Sequence, residues 1–200
     1  MVRSGDSSPN GIGIFGGTFN PIHLGHLIIA GKVRESLNLK KIIFVPAHYP
    51  PHKKAPEIGS LHRYRMVKLA ISNNFYFVAS KIELEREGKS YTIDSVKTLK
   101  KMYLPEKDFY FILGLDAYLE TDSWKEIEKL KKLVTFVVVK RNVIPSGTRN
   151  LSFKNVSFID LEPIGISSSE IRSRIKKGKS VHTLLPDKVM NYIQQHHLYQ

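Results

Sequence analysis

Two histidines three positions apart, His23 and His26, close the run Gly16-Gly17-Thr18-Phe19-Asn20-Pro21-Ile22-His23-Leu24-Gly25-His26. The residues before it, Ile12 to Phe15, read as a short apolar strand, and those after it recur at helical spacing. The glycine pair therefore sits in a strand-to-helix turn, where a missing side chain lets a polyphosphate approach the backbone. Histidines at i and i+3 share one face of the helix's first turn. The free N–H groups and dipole of that turn favour an anion, and Gly25 leaves room where a ligand can lie. Together these residue types point to phosphate binding. Zinc is the other chemistry two histidines offer, but no third ligand stands at a recognisable spacing. Gly11-x-Gly13-x-x-Gly16 formally matches the dinucleotide fingerprint. Its first two glycines fall before or inside the strand rather than in the turn, so that match is discounted. A phosphate-binding G-x-x-x-x-G-K-[ST] loop is absent.

Further groups have types suited to anions or to a flat ring. Pro50-Pro51-His52-Lys53 lies in a loop after a second strand, with Lys53 as a candidate phosphate ligand and Arg63 in the helix that follows. Ile166-Ser167-Ser168-Ser169-Glu170-Ile171-Arg172 marks a helix start, because Ser167 and Glu170 fit a capping box. The additional serines and Arg172 add hydroxyls and a guanidinium for phosphate oxygens. Ser90-Tyr91-Thr92-Ile93-Asp94-Ser95 precedes another helix. Gly114-Leu115-Asp116 follows a central apolar strand, where an aspartate can accept from ribose hydroxyls. Trp124, the only tryptophan, is by residue type equally a core aromatic and a stacking platform. Ser123 and Glu126 suggest a capping box for the helix beside it.

The elements that must hold these groups alternate. Strands are expected at Ile12–Phe15, Ile42–Val45, Phe75–Val78, Phe109–Leu113 and Leu133–Val139. Helices are expected over Leu24–Leu37, 61–72, Thr92–Tyr103, Ser168–Lys177 and Asp187–Gln195, with Gly178 ending the fourth. Continuous apolar strands suit a parallel sheet buried on both faces. The alternation predicts a single-domain, Rossmann-like, doubly wound α/β fold with a mainly parallel sheet and helices on both faces. Residues 1–10 read as a flexible lead-in to a domain over 11–200, and 47–60 and 142–155 as loops.

Composition sets limits. The 200 residues carry a formal net charge of +13, no cysteine and 42% hydrophobic residues. That excludes disulfide scaffolds, thiolate sites and a disordered chain, and fits a cytoplasmic location. There is no signal-peptide pattern and no apolar run near the roughly 20 residues a bilayer span needs. The charge asks for an anionic partner, which composition alone leaves open between nucleic acid, a membrane surface and small polyanions. Lysine doublets at 100–101, 131–132 and 176–177 sit near helix ends, where solvated lysines are expected anyway.

The run from Gly16 to His26 resembles the H/T-x-G-H signature of the nucleotidyltransferase superfamily. Its longer context is similar to bacterial-type nicotinate-mononucleotide adenylyltransferases. The PPHK run, the Glu83-Leu84-Glu85-Arg86 segment, SYT-x-D, G-x-D followed by Trp124, and ISS-x-x-IR resemble the same family, with Ser95 and Ser169 where threonine is usual. The resemblance runs from about Ile12 to the end. It implies transfer of the adenylyl group of ATP to nicotinate mononucleotide, whose phosphate attacks the α-phosphorus and expels pyrophosphate. His23, His26, Lys53 and Arg172 are then the catalytic candidates. Phe15, Gly16, Gly17, Thr18, Phe19, His23, His26, Gly114, Asp116, Ile166, Ser167, Ser168, Ser169 and Arg172 would hold ATP. Gly17, Lys53, Tyr91, Thr92 and Trp124 would hold the mononucleotide. Mg²⁺ would be carried mainly by the substrate phosphates, with no protein metal site. The partners implied are these two small molecules, with no nucleic acid and no membrane, and an oligomer is compatible. A related transferase acting on nicotinamide mononucleotide or phosphopantetheine, and a basic nucleic-acid-binding module, are the competing readings.

Overall fold

The computed structural model describes residues 9–49, 56–140, 155–162 and 164–200. Its centre is a six-stranded sheet made of β1 (Ile12–Gly17), β2 (Lys41–Pro46), β3 (Phe77–Ala79), β4 (Phe109–Gly114), β5 (Thr135–Lys140) and β6 (Val156–Asp160). The order is β3-β2-β1-β4-β5-β6 and every pairing is parallel. Among the described residues, seven α-helices connect or follow the strands: α1 (Leu24–Ser36), α2 (Ser60–Ile71), α3 (Thr92–Met102), α4 (Leu115–Leu119), α5 (Ile127–Leu133), α6 (Ser168–Lys176) and α7 (Asp187–Gln195).

The uninterrupted apolar strands are explained by two cores, one on each face. Ile42, Phe44, Ile112, Val137 and Val139 point to the face covered by α1, α2, α6 and α7. Their neighbours Ile43, Val45, Phe111, Phe136 and Val138 point to the face covered by α3 and α5. Period-two alternation with both faces dry leaves no polar position. At Gly13 the sheet is so tightly covered that a Cβ would lie 2.4 Å from Ile42 Cδ1, so this glycine serves packing rather than a dinucleotide turn.

Several boundaries move. β3 starts at Phe77, with the fully exposed Phe75 and the half-exposed Tyr76 in the preceding turn. Leu133 ends α5 instead of starting β5. β6 was not expected, because Ser157 and Asp160 interrupt its pattern. It is an edge strand, only half-buried, so it needs no continuous apolar run. Gly178 does end α6: with φ +63° it lets Gly178 N–H reach Ile175 O and Lys179 N–H reach Arg174 O. The expected Ser123–Glu126 box is absent, since α5 begins at Ile127 and Ser123 Oγ donates to Glu120 O instead. The loop read at 142–155, except Asn155, and the lead-in through residue 8 lie outside the described residues.

The strand order reverses between β1 and β4. In an open parallel sheet the connections leave these two strands in opposite directions, opening a crevice beyond their carboxyl ends.

Candidate active site

That crevice is a cavity of about 900 Å³, at the upper end of ligand-pocket sizes. Its floor is the end of β1 and the turn after it, Phe15 to Asn20, with β4's end, Gly114, alongside. Both glycines fit closely there. A Cβ on Gly16 would come within 3.1 Å of the Phe111 ring, and one on Gly17 within 3.0 Å of Phe19. Phe19 itself takes φ +46°, a region a bulky residue adopts only when its surroundings hold it. Its ring is buried against Phe15, Phe44 and His26.

The histidines divide their work. His23 is the N-cap of α1 and is buried, with its ring centroid 3.8 Å from that of His26. His26 lines the cavity. The His23 backbone N–H donates to His26 Nδ1 at 3.2 Å. A ring nitrogen that accepts carries no proton, so the proton of the neutral imidazole is on Nε2. His26 is thereby preset as a donor. Gly25 does not make room for a ligand, contrary to expectation: a Cβ there would meet the His23 ring at 3.0 Å and Ile164 at 3.1 Å. The start of α1 is also less open than its sequence implies, because Leu24 N–H donates to Leu184 O.

The serine-rich helix start is tied to the glycine turn. Ser168 Oγ donates to Pro21 O at 2.9 Å, and Arg172 Nη1 donates to Asn20 O at 2.8 Å. Tyr199 OH donates to Asn20 Oδ1 at 2.7 Å, and burial pushes its pKa well above the usual tyrosine range. Ser168 and Arg172 line the cavity. Ser167 caps α6 by accepting from Glu170 N–H, and Ser169 Oγ lies 3.1 Å from Ser167 Oγ. Ile166 packs on the core. Neither Ser167, Ser169 nor Ile166 reaches the cavity wall.

The far wall comes from the other face of the sheet. Tyr91, the N-cap of α3, and Thr92, its first residue, line it together with Asp116, Glu120, Trp124 and Lys125. Trp124 meets Phe111 edge-on at 5.9 Å and packs on the second core while lining the cavity, so it serves packing and leaves surface for a ring.

Glu83 also lines the cavity, and it was singled out only within the Glu-Leu-Glu-Arg segment. Its carboxylate accepts from Ser95 Oγ at 2.6 Å. Burial raises its pKa, opposed by hydrogen bonds from Ser95 and Ser90, by the Arg86 charge and by the His48 N–H. Ser90 Oγ accepts from the N–H groups of His48 and Tyr49. This network joins the segment after β2 to the start of α3. Glu57, Glu120 and Lys125 are further lining residues that no sequence motif marked.

Arg63 does not belong to the crevice. It is 1% exposed and donates to Ile58 O at 3.1 Å, Thr18 O at 2.7 Å and His48 O at 3.2 Å. Burial lowers its pKa, with Tyr199 and Glu83 opposing. Lys53 and its PPHK run lie outside the described residues. Among the described residues, the fixed cations of the wall are therefore Arg172 and Lys125, against four carboxylates. Some of the remaining basic charge is held in surface ion pairs such as Lys40–Glu106 and Lys176–Glu57.

Comparison with known proteins agrees with this architecture. A cytidylyltransferase-like family model matches residues 14–174. A protein of Bacillus pumilus named as a probable nicotinate-nucleotide adenylyltransferase is 43% identical, over 94% of this chain and 98% of its own length. One of Bacillus licheniformis with the same name is 44% identical over the same shares. A solved structure, the Plasmodium falciparum nicotinic acid mononucleotide adenylyltransferase complexed with NaAD, superposes with a TM-score of 0.77. It shares 26% identity, over 95% of this chain and 97% of that one. At this identity over nearly the full length, the chain belongs to the nicotinate-nucleotide adenylyltransferase family, within the cytidylyltransferase-like group.

Proposed function

We propose that the chain transfers the adenylyl group of ATP to nicotinate mononucleotide, forming nicotinate adenine dinucleotide and pyrophosphate. The observation that carries this is the coincidence of near-full-length kinship with one two-sided cavity at the switch point of the sheet. One wall, from β1, α1 and α6, offers hydrogen-bond donors and a guanidinium to phosphates. The other, from α3 and the segment before α5, offers an aromatic surface to a flat ring.

The attacking phosphate is already anionic near neutral pH, so no general base is needed. The protein's task is to align two polyanions and to stabilise charge moving onto the leaving pyrophosphate. His26 donates through Nε2, and Arg172 adds positive charge from a guanidinium already oriented by Asn20 O. His23 stacks behind His26 and holds its tautomer through the backbone. Lys53 is proposed to reach the phosphates from the segment after β2. Asp116 accepts from the adenosine ribose, and Tyr91, Thr92 and Trp124 hold the nicotinate end. The family's divalent cation, for which we propose Mg²⁺, takes oxygen ligands, which bound phosphates supply and a wall of hydrogen-bond donors does not. No group of three His, Asp or Glu stands together among the described residues, so the substrate phosphates would hold it and it would neutralise them there. No helix among the described residues is long and apolar enough to cross a membrane.

Incubation with ATP, Mg²⁺ and nicotinate mononucleotide should release pyrophosphate and the dinucleotide together. No product with either the acid or the amide mononucleotide would overturn the assignment. Trp124→Ala should raise KM for the mononucleotide about tenfold while KM for ATP stays near its original value, as expected for loss of one stacking face. An unchanged mononucleotide KM in steady-state kinetics would return Trp124 to a purely packing role.

A further inference from the structure

The segment after α7 reaches the phosphate side of the site without lining the cavity. α7 ends in a Schellman turn: His197 takes φ +50°, its N–H donates to Gln194 O, and Leu198 N–H donates to Ile193 O. The turn reverses the chain, and Leu198 and Tyr199 are buried in the core on the face of α1. Tyr199 itself takes φ +65°, a conformation a bulky residue keeps only when its surroundings hold it. Filling that core requires the ring alone. The hydroxyl is spent on one residue of the turn after β1.

That residue is Asn20. Its Oδ1 accepts from Tyr199 OH at 2.7 Å, and its backbone carbonyl accepts from Arg172 Nη1 at 2.8 Å. Asn20 is itself buried, and it lines the cavity together with Arg172. A single residue therefore couples a buried hydroxyl to a guanidinium in the wall. The hydroxyl keeps its proton and stays a donor: burial raises its pKa, outweighing the Arg63 and Arg172 charges that lower it. Without the hydroxyl, Asn20 Oδ1 is a buried acceptor deprived of its partner. An Asn20 that shifts toward another donor moves the carbonyl on which Arg172 rests.

We propose that Tyr199 is a positioning residue for adenylyl transfer: through Asn20 it sets the aim of the Arg172 guanidinium. Arg172 meets charge that grows on the leaving pyrophosphate, so its aim matters most at the transition state. A slightly displaced guanidinium still neutralises bound phosphate but loses alignment with the reacting group. Tyr199 thus acts on kcat from outside the cavity.

This inference rests on the adenylyl-transfer reading, and the test separates the two. Tyr199→Phe keeps the ring and removes only the hydroxyl. It should lower kcat about tenfold, with KM for ATP and for nicotinate mononucleotide each within about twofold of the original. In an Arg172→Ala background, read by pyrophosphate release at high enzyme concentration, the same change should lower kcat by less than about twofold, because the group it aims is gone. Asn20→Ala removes the acceptor, keeps the carbonyl and should reproduce both results. It decides the question if Tyr199→Phe does not fold. Thermal unfolding of every variant sets an assay temperature at which all are folded. A kcat for Tyr199→Phe within about twofold of the original would overturn the proposal. So would an equal fall in both backgrounds, the result of a general loosening of the fold, or a raised KM with unchanged kcat. Failure of the unsubstituted chain to adenylylate either mononucleotide overturns the activity and this inference with it. Transfer by the unsubstituted chain at an unmoved kcat in Tyr199→Phe overturns the role of Tyr199 alone.

Discussion

Replacing His26 with alanine should lower kcat about a hundredfold or more, while KM for ATP shifts by less than about threefold. The expectation follows from how the imidazole is held. The His23 N–H occupies Nδ1, and the rings of His23, Phe15 and Phe19 surround the imidazole. The remaining Nε2–H is thus oriented before substrate arrives. A donor aimed where negative charge develops stabilises the transition state more than the ground state, so its loss appears in kcat. Steady-state kinetics with both substrates varied would decide. A near-normal kcat would remove His26 from the chemistry, and a proportional rise in KM with unchanged kcat would make it a simple binding contact. Thermal unfolding of the same variant should show a modest loss, because the ring lines a cavity rather than filling the core.

Arg63→Ala should destabilise the fold by about 3–5 kcal/mol, the range for leaving several buried polar groups without partners. Three carbonyls, from Thr18, His48 and Ile58, depend on this one guanidinium. They belong to the glycine turn after β1, the segment after β2 and the approach to α2. Their release should therefore also reduce activity, by loosening the floor of the cavity. Arg63→Lys should recover only part of the stability, since an ammonium cannot reproduce the planar fork that spans three acceptors. Denaturant unfolding of the variants checks this. If Arg63 instead contacted phosphate, its alanine variant would fold normally and show only a raised KM for ATP.

Arg63 also illustrates what residue type leaves open. An arginine on a helix after a basic loop reads as an anion ligand, because its charge is visible in the sequence and its burial is not. Whether a guanidinium faces a ligand or a set of carbonyls depends on where three separate loops converge. Gly25 is similar. Its missing side chain suggests space for a ligand, but the space holds the ring of His23, two residues earlier in the chain. β6 escaped notice because an edge strand pairs on one side and stays half-exposed, so no continuous apolar run marks it. Lys125 and Glu83 escaped as site residues because no local spacing distinguishes a charged residue lining a cavity from a solvated one.

The sequence by itself determined the doubly wound parallel architecture, because strands buried on both faces must be apolar without interruption and that pattern is local. It also determined the glycine turn, the paired histidines, the capped serine helix and the likeness to a family of adenylyltransferases, each written in contiguous residues. Only the tertiary structure decided which of these groups share one cavity, that His26 faces it with His23 stacked behind, and that Arg63 is a strut. The physical reason is that exposure, tautomer and partner choice are set by contacts between segments far apart in the chain, such as Asn20 with Arg172 and Tyr199. The net charge of +13 indicated an anionic ligand. The fold placed two of those cations, Arg172 and Lys125, in the described cavity wall, one on each side of the switch point.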